Sequence, residues 1–95
     1  MKIHVTKRHI DCGGMGSHNG SPLALAFQEA GMMYPRIDLP FVVFRRTDNY
    51  HAYAKIELPE WLVWVMRYYN ATGDIQPFSF DIDLPENATV KGVHA

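Results

Sequence analysis

Phe41-Val42-Val43-Phe44-Arg45-Arg46-Thr47-Asp48-Asn49 decides how this chain folds. A β-branched and aromatic run meets turn residues, and the alternating segment Tyr50 to Leu58 follows, which predicts a β-hairpin. Within the second arm, Ala52, Ala54, Ile56 and Leu58 share one side, and His51, Tyr53, Lys55 and Glu57 share the other.

Outward from the hairpin, each flank reads as a helix and then a strand. Upstream, Ser21-Pro22 is a helix start: serine accepts from the orphan amides and proline suits the first helical position. The helix Pro22 to Ala30 stops at Gly31, and its apolar run Leu23 to Phe27 predicts cover on most sides. Pro35 and Pro40 punctuate what reads as a loop. Downstream, Pro59-Glu60 opens a helix that runs to about Asn70, with Gly73 as its stop. The outermost segments are strands: Ile3 and Val5 at the start, and Phe78, Phe80, Ile82 and Leu84 inward near the end, with Ser79, Asp81 and Asp83 outward.

Strand, helix, strand, strand, helix, strand predicts an α+β two-layer sandwich. Two right-handed crossovers around one hairpin give a four-stranded antiparallel sheet with two helices on one face, the ferredoxin-like topology. The first helix is short for such a crossover, so a variant α+β sheet is the alternative. Residues 1–86 form one domain in this reading, and 87–95 form a frayed tail.

The 95 residues are 47% hydrophobic, enough for one core without staples, and the single Cys12 excludes an intrachain disulfide. The start has no signal-peptide apolar region, and no run approaches the ~20 residues of a membrane span, so an intracellular, cytoplasmic protein is expected. A formal net charge of −1 lacks the basic excess of a non-specific nucleic-acid binder. The ribonucleoprotein string of RNA-binding sheets is missing, and the predicted open face carries Glu57, Asp81 and Asp83, so direct nucleic-acid binding is not expected.

Residues able to do chemistry cluster near the start. His4, His9, Asp11, Cys12 and His18 are all potential ligands, but the paired spacing that converges on zinc is absent. The alternative to scattered surface histidines is a metal- or ligand-dependent enzyme using His9, Asp11, Cys12 and His18. Gly13 to Gly20, running into a helix, has neither the P-loop lysine nor a third dinucleotide glycine, and reads as a mobile connector. Thr6 is placed to cap a single turn through His9 and Ile10, closed by Cys12-Gly13. Asp81 and Asp83 share a strand face, with Lys55 and Glu57 as expected neighbours; such carboxylates serve acid–base work or Mg²⁺, or simply solvate an open sheet.

On the second helix, Trp61, Leu62, Trp64, Val65, Tyr68 and Tyr69 form a wide apolar face at 100° per residue, predicted to point inward. Val63 sits beside Arg67 on the polar stripe that Glu60 and Arg67 define, and Met66 lies at the opposite margin. They are either apolar edge residues or part of a protein contact.

One set of segments resembles a group of small bacteriophage proteins. It comprises Val5-Thr6, His9-Ile10, a glycine-containing loop, Ser21-Pro22-Leu23-Ala24-Leu25-Ala26, and the closing Pro77-Phe78-Ser79-Phe80-Asp81-Ile82. Members of that group often carry cysteine where this chain has Ser21, so no thiol or metal role applies at that position. The resemblance implies an accessory phage product inside a bacterial cell that binds and blocks a host protein, as anti-CRISPR and other anti-defence inhibitors do. The expected function is therefore a non-enzymatic, cofactor-free factor that inhibits or redirects a host complex. Its contact surface is expected at Val63, Met66, Arg67, Glu57, Asp81 and Asp83. A homodimeric structural module is the further alternative.

Overall fold

The computed structural model describes residues 1–14, 16–49 and 51–90. Among them the chain forms β1 (Lys2–Val5), α1 (Lys7–Cys12), α2 (Pro22–Glu29), β2 (Met33–Asp38), β3 (Phe41–Arg45), β4 (Tyr53–Glu57), α3 (Glu60–Thr72) and β5 (Phe78–Asp81). The class is α+β as expected, but the four-stranded sheet with two helices is not what forms. β1 and β5 make one antiparallel ribbon, and β2, β3 and β4 make a separate antiparallel sheet.

The difference lies in residues 33–38. Pro35 and Ile37 turn inward while Tyr34, Arg36 and Asp38 turn out, so the segment alternates as a strand does. Pro35 suggests a loop, yet β2 is an edge strand and its register with β3 shifts between Met33 and Arg36. An edge strand at a bulge tolerates a residue that cannot donate to the ladder. With β2 paired to one side of β3 and β4 to the other, the hairpin completes a sheet of its own and leaves β1 to pair with β5.

One core joins the pieces. Ile3, Val5, Phe80 and Ile82 come from the ribbon, Leu23, Ala24, Ala26 and Phe27 from α2, Ile37, Val42 and Phe44 from the sheet, and Leu62, Val63, Met66 and Tyr69 from α3. Phe27 meets Phe80 edge to face at 6.1 Å, which fixes α2 on the ribbon. Ser21 caps α2 as expected, accepting from the Ala24 amide at 3.2 Å, and Gly73 ends α3 with φ 74°.

α1 is the expected turn, capped by Thr6 and closed at Cys12-Gly13. Its close approach to α2 requires Gly13: a Cβ there would lie 2.7 Å from Pro22 Cδ and 2.8 Å from the His9 carbonyl oxygen. The glycine-rich connector is not the free loop its composition suggests. The Ile37 amide donates to the His18 carbonyl at 2.7 Å, and the Gly16 amide donates to Asn70 Oδ1 at 3.1 Å, tying the loop to β2 and α3. The tail boundary at residue 86 also needs correction. Ala88 is buried, Thr89 bridges Met32, and the Val90 amide donates to the Gly31 carbonyl. Residues 91–95, the remainder of the expected frayed tail, lie outside the described residues.

Candidate docking groove

The surface expected from the sequence does not exist as one surface. Val63 and Met66 are core residues, 7% and 1% exposed, so neither contributes to an exposed helix margin. Asp81 stands on β5 opposite Lys2, with Asp83 just beyond, whereas Lys55 and Glu57 stand on β4 in the other sheet. The two carboxylates and the Lys55–Glu57 pair are therefore not neighbours across a ladder. Arg67 alone keeps its place, exposed, with its guanidinium 5.9 Å from the Trp64 ring centre.

The reason lies in how α3 is rotated. Its apolar residues occupy two adjacent arcs, each about 100–120° wide at 100° per residue. Leu62, Val63, Met66 and Tyr69 form one, and Trp61, Trp64, Val65 and Tyr68 the other. The first, mainly aliphatic arc is buried, and Trp61, Trp64 and Tyr68 face outward. Large rings with a polar tip tolerate partial exposure better than Leu or Met, so residue type was the signal that periodicity alone lacks.

The outward arc does not stand alone. The chain leaving α3 returns alongside it, and Ile75, Pro77 and Phe78 face Trp61, Trp64, Val65 and Tyr68 across a hollow of about 530 Å³. Trp61 forms its floor, edge-on to Phe78 at 6.0 Å and to Phe80 at 5.8 Å. Trp64 and Tyr68 form its wall, 62% and 57% exposed. Asp74 and Gln76 line the polar side, and Arg67 flanks Trp64. An apolar centre with a polar rim and exposed Trp, Tyr and Arg is the composition of a protein interface hot spot. Contiguous apolar surface of this kind usually marks an interaction site.

The N-terminal residues resolve into a structural cluster. The Thr6 amide donates to His9 Nδ1 at 3.0 Å, and the His9 amide donates to Thr6 Oγ1 at 3.4 Å, so the pair forms a reciprocal capping box with histidine in the usual Glu or Gln place. Because Nδ1 accepts, the ring proton sits on Nε2 and is donated to Glu29 Oε2 at 2.6 Å. Arg8 also binds Glu29. The His9 hydrogen bond, then the nearby positive charges, hold the Glu29 carboxyl below its ordinary range despite some desolvation.

Hydroxyl, imidazole and carboxylate thus line up as in a nucleophilic triad, but hydroxyl and ring nitrogen are both engaged in capping and the imidazole is buried. Asp11 pairs with Lys7, Cys12 is exposed, and His18 Nδ1 lies 3.0 Å from the Ile37 carbonyl. Among the described residues no group of three or more His, Cys, Asp or Glu side chains is placed to hold a metal ion. His9, Asp11 and His18 engage separate partners, and Cys12 joins none of those three contacts.

No described helix is long and apolar enough to cross a membrane. Comparison of the chain with protein-family models, with curated proteins and with solved structures finds no match.

Proposed function

We propose that the protein is a non-enzymatic protein-binding factor that docks through the groove of Trp61, Trp64 and Tyr68. The observation that carries this reading is the exposure of three large aromatic residues on one helix stripe, over a hollow walled by a second apolar segment. The occupant that suits it is an apolar ridge of a partner protein, such as one face of an amphipathic helix, bordered by polar groups that meet Arg67 and Asp74. The resemblance to small phage proteins supports a host bacterial complex as that partner, a defence system among them, which docking would inhibit or redirect.

Tagged wild-type protein and a Trp64→Ala/Tyr68→Ala double variant, compared in pull-downs from bacterial lysate, test the reading. One host complex held in fixed stoichiometry by the wild type and lost by the folded double variant supports it. Equal capture by both removes the groove from the function. Concentration-dependent dimerisation abolished by the same variant would instead make the occupant a second copy of the chain.

A further inference from the structure

The outward face of the β2–β3–β4 sheet has a chemistry that neither the core nor the groove uses. Register places three rows on it: Met33, Arg45 and Tyr53; Arg36, Val43 and Lys55; Asp38, Phe41 and Glu57. The Arg45 guanidinium lies 5.3 Å from the Tyr34 ring centre and 5.0 Å from that of Tyr53, and it donates to the Tyr53 hydroxyl. At the other end, Lys55 Nζ lies 4.3 Å over the Phe41 ring. Aromatic rings and cations therefore alternate across the face.

We infer that this face binds single-stranded nucleic acid, with bases stacked on Tyr34 and Tyr53 and phosphates drawn to Arg36 and Lys55. Tyr34 and Tyr53 are 63% and 58% exposed, so each keeps ring surface on which a base can stack beside its contact with Arg45. Tyr34 holds φ at 50°, a left-handed conformation that bulky residues rarely adopt, and such conformations concentrate at ligand sites. A hollow of about 510 Å³ lies between Tyr34, Arg36, Val43 and Tyr53, with Asn19 and Gln28 on its lining. Their amides supply both donors and acceptors, the groups that read base edges. Arg36 makes no ion pair among the described residues.

Charge placement favours a strand over a lone nucleotide and over an acidic peptide. The cations Arg36, Arg45 and Lys55 occupy the first two rows, and both carboxylates, Asp38 and Glu57, occupy the third. Phosphates are thus confined to one half of the face. The third row offers carboxylates to base amino groups, about 13 Å from the first row at ~3.3 Å per residue. A polycarboxylate peptide would be repelled there and would have no planar rings for Tyr34 and Tyr53. The expectation from the sequence that nucleic acid is excluded rested on the lack of a basic excess, the missing ribonucleoprotein string and the carboxylates Glu57, Asp81 and Asp83 on one face. Glu57 does stand on this face, whereas Asp81 and Asp83 belong to the ribbon.

Fluorescence polarisation with a labelled oligodeoxycytidylate, whose bases carry amino groups, tests the inference on the full chain. Binding at low salt is expected, falling as salt rises with a log–log slope of about −1.4 to −2.1, the release of counterions from two or three phosphates. Tyr53→Ala should weaken it roughly tenfold, the scale of one lost stacked base. Arg36→Glu and Lys55→Glu, which change exposed side chains, should weaken it further and flatten the slope. Trp64→Ala should leave it unchanged, which separates this surface from the docking groove. Absence of binding at low salt overturns the inference. So does equal affinity for the matching duplex or for deoxycytidine monophosphate, displacement by polyglutamate at equal charge, or full binding by the folded variants.

Discussion

Replacing Met66 by alanine removes a side chain that is almost wholly enclosed on the inner arc of α3. Buried Met-to-Ala changes cost about 2–5 kcal/mol through lost transfer energy and the cavity left behind. A mid-range loss of ~3 kcal/mol would lower Tm by roughly 12–24 °C in a domain of this size. Trp64→Ala, two positions earlier, should behave differently. It forfeits a contact with Arg67 worth about 0.5–1 kcal/mol at an exposed site. Better helix propensity returns about 0.5 kcal/mol, while the covered third of the Trp64 surface costs about 1–2 kcal/mol at ~25 cal/mol per Å². The net loss is about 1–2 kcal/mol and stays below that of Met66→Ala. Urea unfolding followed by far-UV circular dichroism reads both without depending on tryptophan emission. If Trp64→Ala destabilises as much as Met66→Ala, the helix is turned the other way and the groove does not exist.

Three further outcomes follow from the geometry. Gly13→Ala should destabilise by more than about 1 kcal/mol in thermal melts, since all three atoms it meets, two on Pro22 and the His9 carbonyl oxygen, belong to the α1–α2 junction. Ala88→Asp places an unpaired carboxylate in the core and should cost about 3 kcal/mol or more in the same measurement, whereas a frayed tail would tolerate it. Glu29 makes the third: its folded-state pKa lies below the unfolded value, so its contribution is present above about pH 4.3 and is lost as pH falls through the folded value. Wild type should therefore lose more stability than Glu29→Gln between about pH 5 and pH 3, by a small margin because the carboxylate is half exposed.

Period and punctuation made most elements legible. The Ser21 cap, the Gly73 stop, both hairpin arms and the inward Phe80 and Ile82 could be read directly because each is a local effect of backbone geometry. Strand partners are a non-local property, and Pro35 concealed an edge strand whose sheet then withdrew the hairpin from β1. On α3, hydrophobicity ran almost all the way round, so periodicity could not choose between two equally wide arcs. The docking of Ala88 and Thr89 leaves no local trace, since it depends on where Gly31 and Met32 arrive in space. For the same reason Glu29, twenty residues from His9, gave no sign of binding it.

The docking groove is tested most directly by photo-crosslinking from inside it. A benzophenone amino acid in place of Trp64 or Tyr68 should capture one host partner from bacterial lysate, and the same probe in place of Glu57 or Asp81 should not. Crosslinks of equal yield from all four positions, or from Glu57 and Asp81 alone, would contradict the assignment of the groove.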